Sequence, residues 1–150
     1  MYQSYPCDYS LPAEWSPQSG IMLTWPHGGT DWKPYLRQIT DTYLELSEII
    51  TRYEQLLIAT PIVESTRRML ASRLSKEQMD RVHLYDIDSN DTWARDHGPI
   101  TLVSKNSHNG LIVPIHLLDF RFNGWGEKFA WQKDNAINLQ LYYQGAFQAA

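Results

Sequence analysis

The chain has 150 residues, of which 43% are hydrophobic and 20% charged, and carries a formal net charge of -4. That length fits one domain able to bury about two-thirds of its unfolded surface. The acidic balance excludes the basic stripe that a nucleic acid or an anionic membrane surface would select. A lone cysteine, Cys7, excludes an internal disulfide and a multi-cysteine zinc cage, and fits a reducing, cytoplasmic setting.

Residues 1–10 lack the basic start and apolar run of a signal peptide. The longest apolar stretches are far too short to span a bilayer. Met1 to Ser19, rich in Pro, Ser and Tyr, reads as an irregular arm. Gly20 to Trp25 is an apolar run closed by Pro26 and followed by Gly28-Gly29, which predicts a buried strand feeding a turn. Thr30 or Asp31 then suits a helix cap, with Pro34 tolerable in the first turn.

Leu36, Ile39, Tyr43, Leu46, Ile50 and Tyr53 recur at steps of three and four, predicting the buried stripe of an amphipathic helix. Gln55 to Thr60 predicts a second buried strand, ending at Pro61. Ile62 to Met79 is helical by composition, and Val82 to Ile87 is a third strand. Ile100 to Val103 and Leu111 to Leu118 predict an antiparallel pair around the polar turn of residues 104–110. Asp134 to Phe147 looks helical again, with no stop signal in residues 148–150, so the chain reads as ending inside a helix, as a fragment would. Strands alternating with helices, plus a hairpin, predict an α/β or α+β domain without a second domain or linker.

Six Trp and nine Tyr are many for this length. Trp25, Trp32, Trp93, Trp125 and Trp131 lie near loop signals, where aromatic faces line pockets for cations or aliphatic chains. The plainer reading is that these indoles fill the core edge. Two segments break the alternation of core and surface: Asn90-Asp91-Thr92-Trp93-Ala94-Arg95-Asp96-His97-Gly98-Pro99, and Asp119-Phe120-Arg121-Phe122-Asn123-Gly124-Trp125-Gly126. Each follows a predicted strand and mixes aromatics, charge and glycine at the mouth where sheets present their sites.

The Asp96 carboxylate has the planar pair of oxygens that matches the paired N–H groups of a guanidinium, with Trp93 near enough in sequence to cover a flat cation. The competing reading is structural, with Asp96 bridging to Arg95, Arg121 or a backbone amide. His27, His83, His97, His108 and His116 lack metal-ligand spacing. Asp86, Asp88 and Asp91 resemble an acidic Mg²⁺ cluster but read better as solvated loop acids. Cys7 reads as incidental rather than nucleophilic. Gly28-Gly29 is a turn, since no dinucleotide-type glycine pattern follows it.

Together the segments at 90–99 and 119–126 resemble the signature blocks of the agmatine deiminases. Leu-Pro-Ala-Glu-Trp-Ser-Pro-Gln at 11–18 and Met-Leu-Thr-Trp-Pro at 22–26 are similar to that family's opening. Order and spacing match from about Leu11 across nearly the whole chain, and bacterial peptidylarginine deiminases share the Trp-x-Arg-Asp core. The resemblance implies a five-bladed α/β propeller, the pentein fold, of which this chain would form about two blades. It also implies hydrolysis of a guanidinium without metal or other cofactor. A cysteine attacks the central carbon, a histidine moves protons, ammonia leaves, and water resolves the covalent thiouronium. With agmatine the products would be N-carbamoylputrescine and ammonia, feeding putrescine and polyamine synthesis.

By the same resemblance Asp96 is the first guanidinium-binding carboxylate, Trp93 the aromatic neighbour of the substrate, Trp125 a further pocket residue, and Arg95 structural. The family's glutamate, its His-x-Asp motif and its late cysteine would lie beyond residue 150, and Cys7 is not their counterpart. The 150 residues alone are therefore expected to be inactive. A propeller cut here would expose apolar strand edges, inviting association such as a homo-oligomer. Two alternatives stand beside an agmatine deiminase: an arginine or peptidylarginine deiminase, and a non-catalytic guanidine-binding or oligomer-forming module.

Overall fold

A computed structural model of the chain describes residues 8–104 and 115–147. Cys7, His108, the polar turn after Ser104, the first part of the strand expected from Leu111 and the last three residues lie outside that range. The chain divides into two compact units, one formed by residues up to Pro17 with Pro99–Phe120, the other by Gln18–Gly98 with Arg121 onward.

The smaller unit is an antiparallel sheet. Its strands are β1 (Tyr9–Ser10), β5 (Ile100–Ser104) and β6 (Ile115–Leu118), in the order β1-β5-β6. Ile100 pairs with Leu118 and Val103 with Ile115, so the expected antiparallel pair forms. The arm read as irregular contributes β1: Tyr9 pairs with Ser104, and its ring lies 4.1 Å from that of His116.

In the larger unit a parallel sheet runs β2-β3-β4, from Gly20–Thr24, Gln55–Thr60 and Val82–Asp86. Parallel neighbours need crossover connections, and helices supply them. A 3-10 turn (Lys33–Tyr35) leads into α1 (Leu36–Ile50) between β2 and β3, while α2 (Val63–Ala71) and α3 (Lys76–Met79) join β3 to β4. After β4 come α4 (Ala94–His97), the single left-handed turn α5 (Gly124–Glu127), α6 (Gln132–Asn135) and α7 (Ile137–Tyr143).

Central β3 is apolar from Leu56 to Ala59 because it is covered on both faces. Leu56 and Ile58 point to one side, packed with Trp25, Leu44, Leu70 and Leu74 under α1 and α2. Ala59 points to the other and packs with Ile87, Ile137 and Leu141 of α7. Trp25 is therefore core, edge-on to Tyr43 at 5.7 Å, and not a pocket wall.

Several elements depart from the sequence reading. The buried track of α1 runs through Leu44 and Ser47, whereas Leu46 is 40% and Tyr53 79% exposed, the latter beyond the helix end. No side chain caps α1, although the Thr30 hydroxyl accepts from the Trp32 N–H in the turn before it. The helix expected over Ile62 to Met79 is two helices, because Ser75 starts α3 with a reciprocal cap: its hydroxyl accepts the Gln78 N–H, and the Gln78 side chain accepts the Ser75 N–H. The last helical stretch likewise divides at Ala136. It ends at Tyr143, and Gly145 follows at φ 80°, so the helix closes within the described residues. None of the described helices is long and apolar enough to cross a membrane.

Two buried polar contacts fasten α4 to this core. Nε2 of His97 shares a 3.2 Å hydrogen bond with the Thr24 hydroxyl at the end of β2, and the Asn138 amide of α7 donates to the His97 carbonyl at 2.8 Å. His97 is 3% exposed and its Nδ1 has no hydrogen-bond partner among the described residues, so burial lowers its pKa to about 4 and keeps the ring neutral.

The segment α5 is a left-handed turn. Gly124, Trp125, Gly126 and Glu127 have φ of 62°, 56°, 83° and 63°. The turn is closed by hydrogen bonds from the Glu127 N–H to the Asn123 carbonyl and from the Lys128 N–H to the Gly124 carbonyl. The Asn123 side chain accepts the Gly126 N–H. A Cβ on Gly124 would sit 2.6 Å from the Phe129 carbonyl oxygen and 3.1 Å from the Trp131 side chain.

These features set two stability expectations. As pH falls below about 6.5, the unfolded His97 takes up a proton that the folded ring refuses. Stability is thus lost between pH 6.5 and about 4, by up to ~3 kcal/mol. In urea titrations at pH 7.5 and 5, the parent should lose about 2 kcal/mol more than His97→Gln; equal losses would contradict a neutral buried ring. Gly124→Ala should cost about 2–4 kcal/mol through the positive φ and the close carbonyl. Gly28→Ala, with open space around it, should stay within about 0.5 kcal/mol.

Candidate functional site

The loop after β4 is held from several directions. Asp134 is 3% exposed, and its Oδ1 accepts the backbone N–H groups of Asn90 at 2.6 Å and Asp91 at 3.2 Å. The Asn90 side chain accepts the Lys133 N–H at 2.9 Å, so the contact runs both ways. Burial raises the Asp134 pKa, against the lowering effect of its two N–H donors. Thr92 is held through its hydroxyl by the Trp32 indole N–H at 2.9 Å.

This anchored loop presents Trp93 and Asp96. The indole N–H of Trp93 donates to Asp91 Oδ2 at 2.9 Å, while the Thr92 N–H donates to Asp91 Oδ1 at 2.9 Å. Asp91 is half-buried, and its pKa is raised by that burial first of all. The Asp96 N–H donates to the Trp93 carbonyl at 2.9 Å, closing the first turn of α4. Residues three apart across such a turn are neighbours. Trp93 is 48% exposed and Asp96 is exposed, and the Asp96 carboxylate has no hydrogen bond or ion pair among the described residues.

The second motif meets the first through rings. Trp125 stands edge-on to Trp93 at 6.3 Å, to Phe122 at 5.1 Å and to Phe129 at 5.7 Å. Phe122 in turn lies 6.3 Å from His97. Such edge-to-face pairs contribute about 0.5–1.5 kcal/mol each beyond the area they bury. Both Trp125 (43%) and Phe129 (56%) keep large exposed surfaces. Arg121, one suggested partner for Asp96, places its guanidinium over Trp131 at 5.4 Å instead.

Other sequence candidates fall elsewhere. Asp88 pairs with Lys133 at 3.2 Å on the surface. The Gly29 N–H donates to His27 Nδ1, and His27 Nε2 shares a hydrogen bond with the Ser89 hydroxyl. Among the described residues no group of three His, Cys, Asp or Glu side chains is disposed to hold a metal ion. Two residues with structural leverage escaped the sequence reading. Asp134 acts over 44 positions, with no local signal to find it. Asp91, read as a solvated acid, begins an Asp-Thr-Trp run whose self-bonding tendency is a recognisable turn signal. The arrangement offers an open carboxylate beside an indole face, which suits a flat organic cation.

The chain is similar to known proteins over nearly its whole length. The family model for Porphyromonas-type peptidyl-arginine deiminase matches residues 10–149. A C. jejuni agmatine deiminase, solved as a cysteine-to-serine variant with substrate bound, is 31% identical with a TM-score of 0.78, covering 94% of this chain and 38% of that one. A Porphyromonas gingivalis protein provisionally named arginine deiminase is 36% identical with a TM-score of 0.73, covering 91% and 37%. A Shewanella baltica protein provisionally named agmatine deiminase is 28% identical over 144 residues, covering 93% of this chain and 36% of that one. The chain thus spans little more than a third of the length of these relatives. With its mixed α/β fold, its two motif blocks joined by tryptophans and a match over residues 10–149, the chain belongs to the Porphyromonas-type peptidyl-arginine deiminase family, whose relatives here are guanidino-group deiminases.

Proposed function

We propose that the chain forms the guanidinium-binding part of a hydrolase that converts agmatine to N-carbamoylputrescine and ammonia, as part of one pentein propeller domain of which it supplies about two of five blades. In this reading Asp96 takes the guanidinium N–H groups in a paired, charge-assisted contact. Trp93 covers the planar cation or its aliphatic tail, and Trp125 borders the same site. A carboxylate that fixes the nitrogens also fixes the carbon for attack, and orientation of that kind is worth several kcal/mol. The nucleophile, the proton-moving histidine and a second carboxylate come from sequence beyond these 150 residues. The enzyme works in the cytoplasm, in putrescine synthesis, and a homo-oligomer would cover its exposed apolar edges.

One observation carries the reading: an exposed Asp96 carboxylate, without a partner among the described residues, one turn from the exposed Trp93 indole. A structural aspartate would be spent on a neighbouring N–H or cation. The family model that matches is named for peptidyl-arginine, which keeps an arginine or peptidylarginine substrate as the second reading. A substrate with a carboxylate or peptide backbone needs cationic or polar groups there, where agmatine presents an amine.

In the full-length gene product, Asp96→Ala should lower kcat/KM for agmatine about a hundredfold or more, measured as ammonia release, because the substrate cation loses its charged partner. Parent-like turnover would remove Asp96 from the site. The ratio of kcat/KM for agmatine, free arginine and a C-terminal arginine peptide decides between the two readings. The 150 residues by themselves should release no ammonia.

A further inference from the structure

We propose that Asp91 is a positioning residue that makes the Trp93 face selective for charge, favouring the cationic guanidinium over the neutral ureido product; the proposal rests on the guanidinium-site reading above. The two ligand groups have nearly the same shape. Hydrolysis replaces one NH₂ of the guanidinium by a carbonyl oxygen: the cation plus water gives a neutral ureido group plus ammonium, so charge leaves with the ammonium. A site that recognised shape alone would hold product as firmly as substrate.

The geometry around Asp91 supplies the discrimination. Oδ2 accepts the Trp93 indole N–H at 2.9 Å, and Oδ1 is fixed by the Thr92 N–H at 2.9 Å. The bidentate use of the carboxylate leaves it one orientation. Its backbone is in turn held by Asp134, and Thr92 by the Trp32 indole, so the aim of the carboxylate is set before any ligand arrives. An indole tied at its nitrogen by a carboxylate has its ring plane fixed. It also gains electron density on the face, where a cation is attracted by the ring quadrupole. A neutral ureido group gains nothing from that density. Asp91 touches neither the ligand nor the reacting carbon in this scheme; it acts through Trp93.

A purely structural Asp91, serving only the turn, predicts a different outcome, since loosening the turn would weaken every ligand alike. In the full-length enzyme, kcat/KM for agmatine and the inhibition constant of N-carbamoylputrescine are measured for the parent, Asp91→Asn, Trp93→Phe and the double variant. Asp91→Asn should cost agmatine about five- to tenfold while the inhibition constant of the product stays within about twofold. Trp93→Phe, which keeps a ring but removes the indole N–H, should narrow the same ratio, and Asp91→Asn should add almost nothing to it.

The Trp93 indole resonance in a ¹⁵N spectrum, identified by its loss in Trp93→Phe, should move upfield in Asp91→Asn; it also reports whether that variant is folded. Equal shifts for the two ligands, or an agmatine effect that persists undiminished on Trp93→Phe, would overturn the role of Asp91. If Asp96→Ala instead turns over agmatine like the parent, the underlying site reading is what fails.

Discussion

The candidate site depends on one buried carboxylate, Asp134, that lies outside both motif blocks. Asp134 accepts two backbone N–H groups from the loop after β4, and that loop carries the exposed Trp93 and Asp96. A buried carboxylate is costly to keep charged, and the upward shift of its pKa shows burial outweighing its N–H donors. The arrangement persists because the two amides would otherwise be unsatisfied in a half-buried loop, a cost of about 1–3 kcal/mol each. The surface ion pair between Lys133 and Asp88 beside it is open to water and adds little. These hydrogen bonds fix the loop of the first motif block against the segment around Asp134, while the two blocks themselves meet through rings.

Opposite that anchor the chain accepts strain. Trp125 and Glu127 are non-glycine residues held at positive φ, each costing on the order of 1–2 kcal/mol. What offsets this is the ring contact of Trp125 with Trp93, Phe122 and Phe129, together with the Asn123 cap on Gly126. Strained backbone of this kind persists where surroundings over-determine it, and such places cluster at functional sites. The strained turn holds Trp125 perpendicular to Trp93. Gly124 is required by space as well as by φ, as the carbonyl 2.6 Å from its Cβ position shows, whereas Gly126 is favoured by φ alone.

How far sequence reached can be judged element by element. β3 was legible to the residue, because this strand, covered on both faces, is apolar from Leu56 to Ala59 and bounded by Gln55 and Pro61. The existence of α1 was legible, and its buried face in part: Tyr43 and Ile50 pack against the core as expected, whereas Leu46 and Tyr53 do not. Leu46 and Tyr53 fit a helical period as well as Leu44 and Ser47 do, and only the sheet decides which track turns inward. The break at Ser75 could have been read from its Ser-x-x-Gln pattern. Asp96 and Trp93 were singled out by residue type and motif, and both are exposed on the same loop. Whether Asp96 was spent on a protein partner was beyond reach, since Arg95 and Arg121 were equally available on paper. The Asp134 contact left no trace, because nothing local distinguishes a helix-start aspartate that reaches back 44 residues.

The openness of Asp96 constrains what this part of the molecule does alone. A solvated carboxylate attracts a cation by only about 0–1 kcal/mol, since water screens the pair and both partners lose freedom. An indole face at an exposed site adds roughly 0.5–1 kcal/mol. Neither sum holds a small guanidine at micromolar concentration, which takes about 8 kcal/mol. The same two groups become effective when further walls exclude water, because the dielectric falls and each contact strengthens. The chain covers 38% of the C. jejuni structure it resembles, and on the reading proposed above such walls would belong to the rest of the domain. On the same reading, Asp96 and Trp93 would set the orientation and charge preference of the ligand, while affinity would come from burial they do not themselves provide.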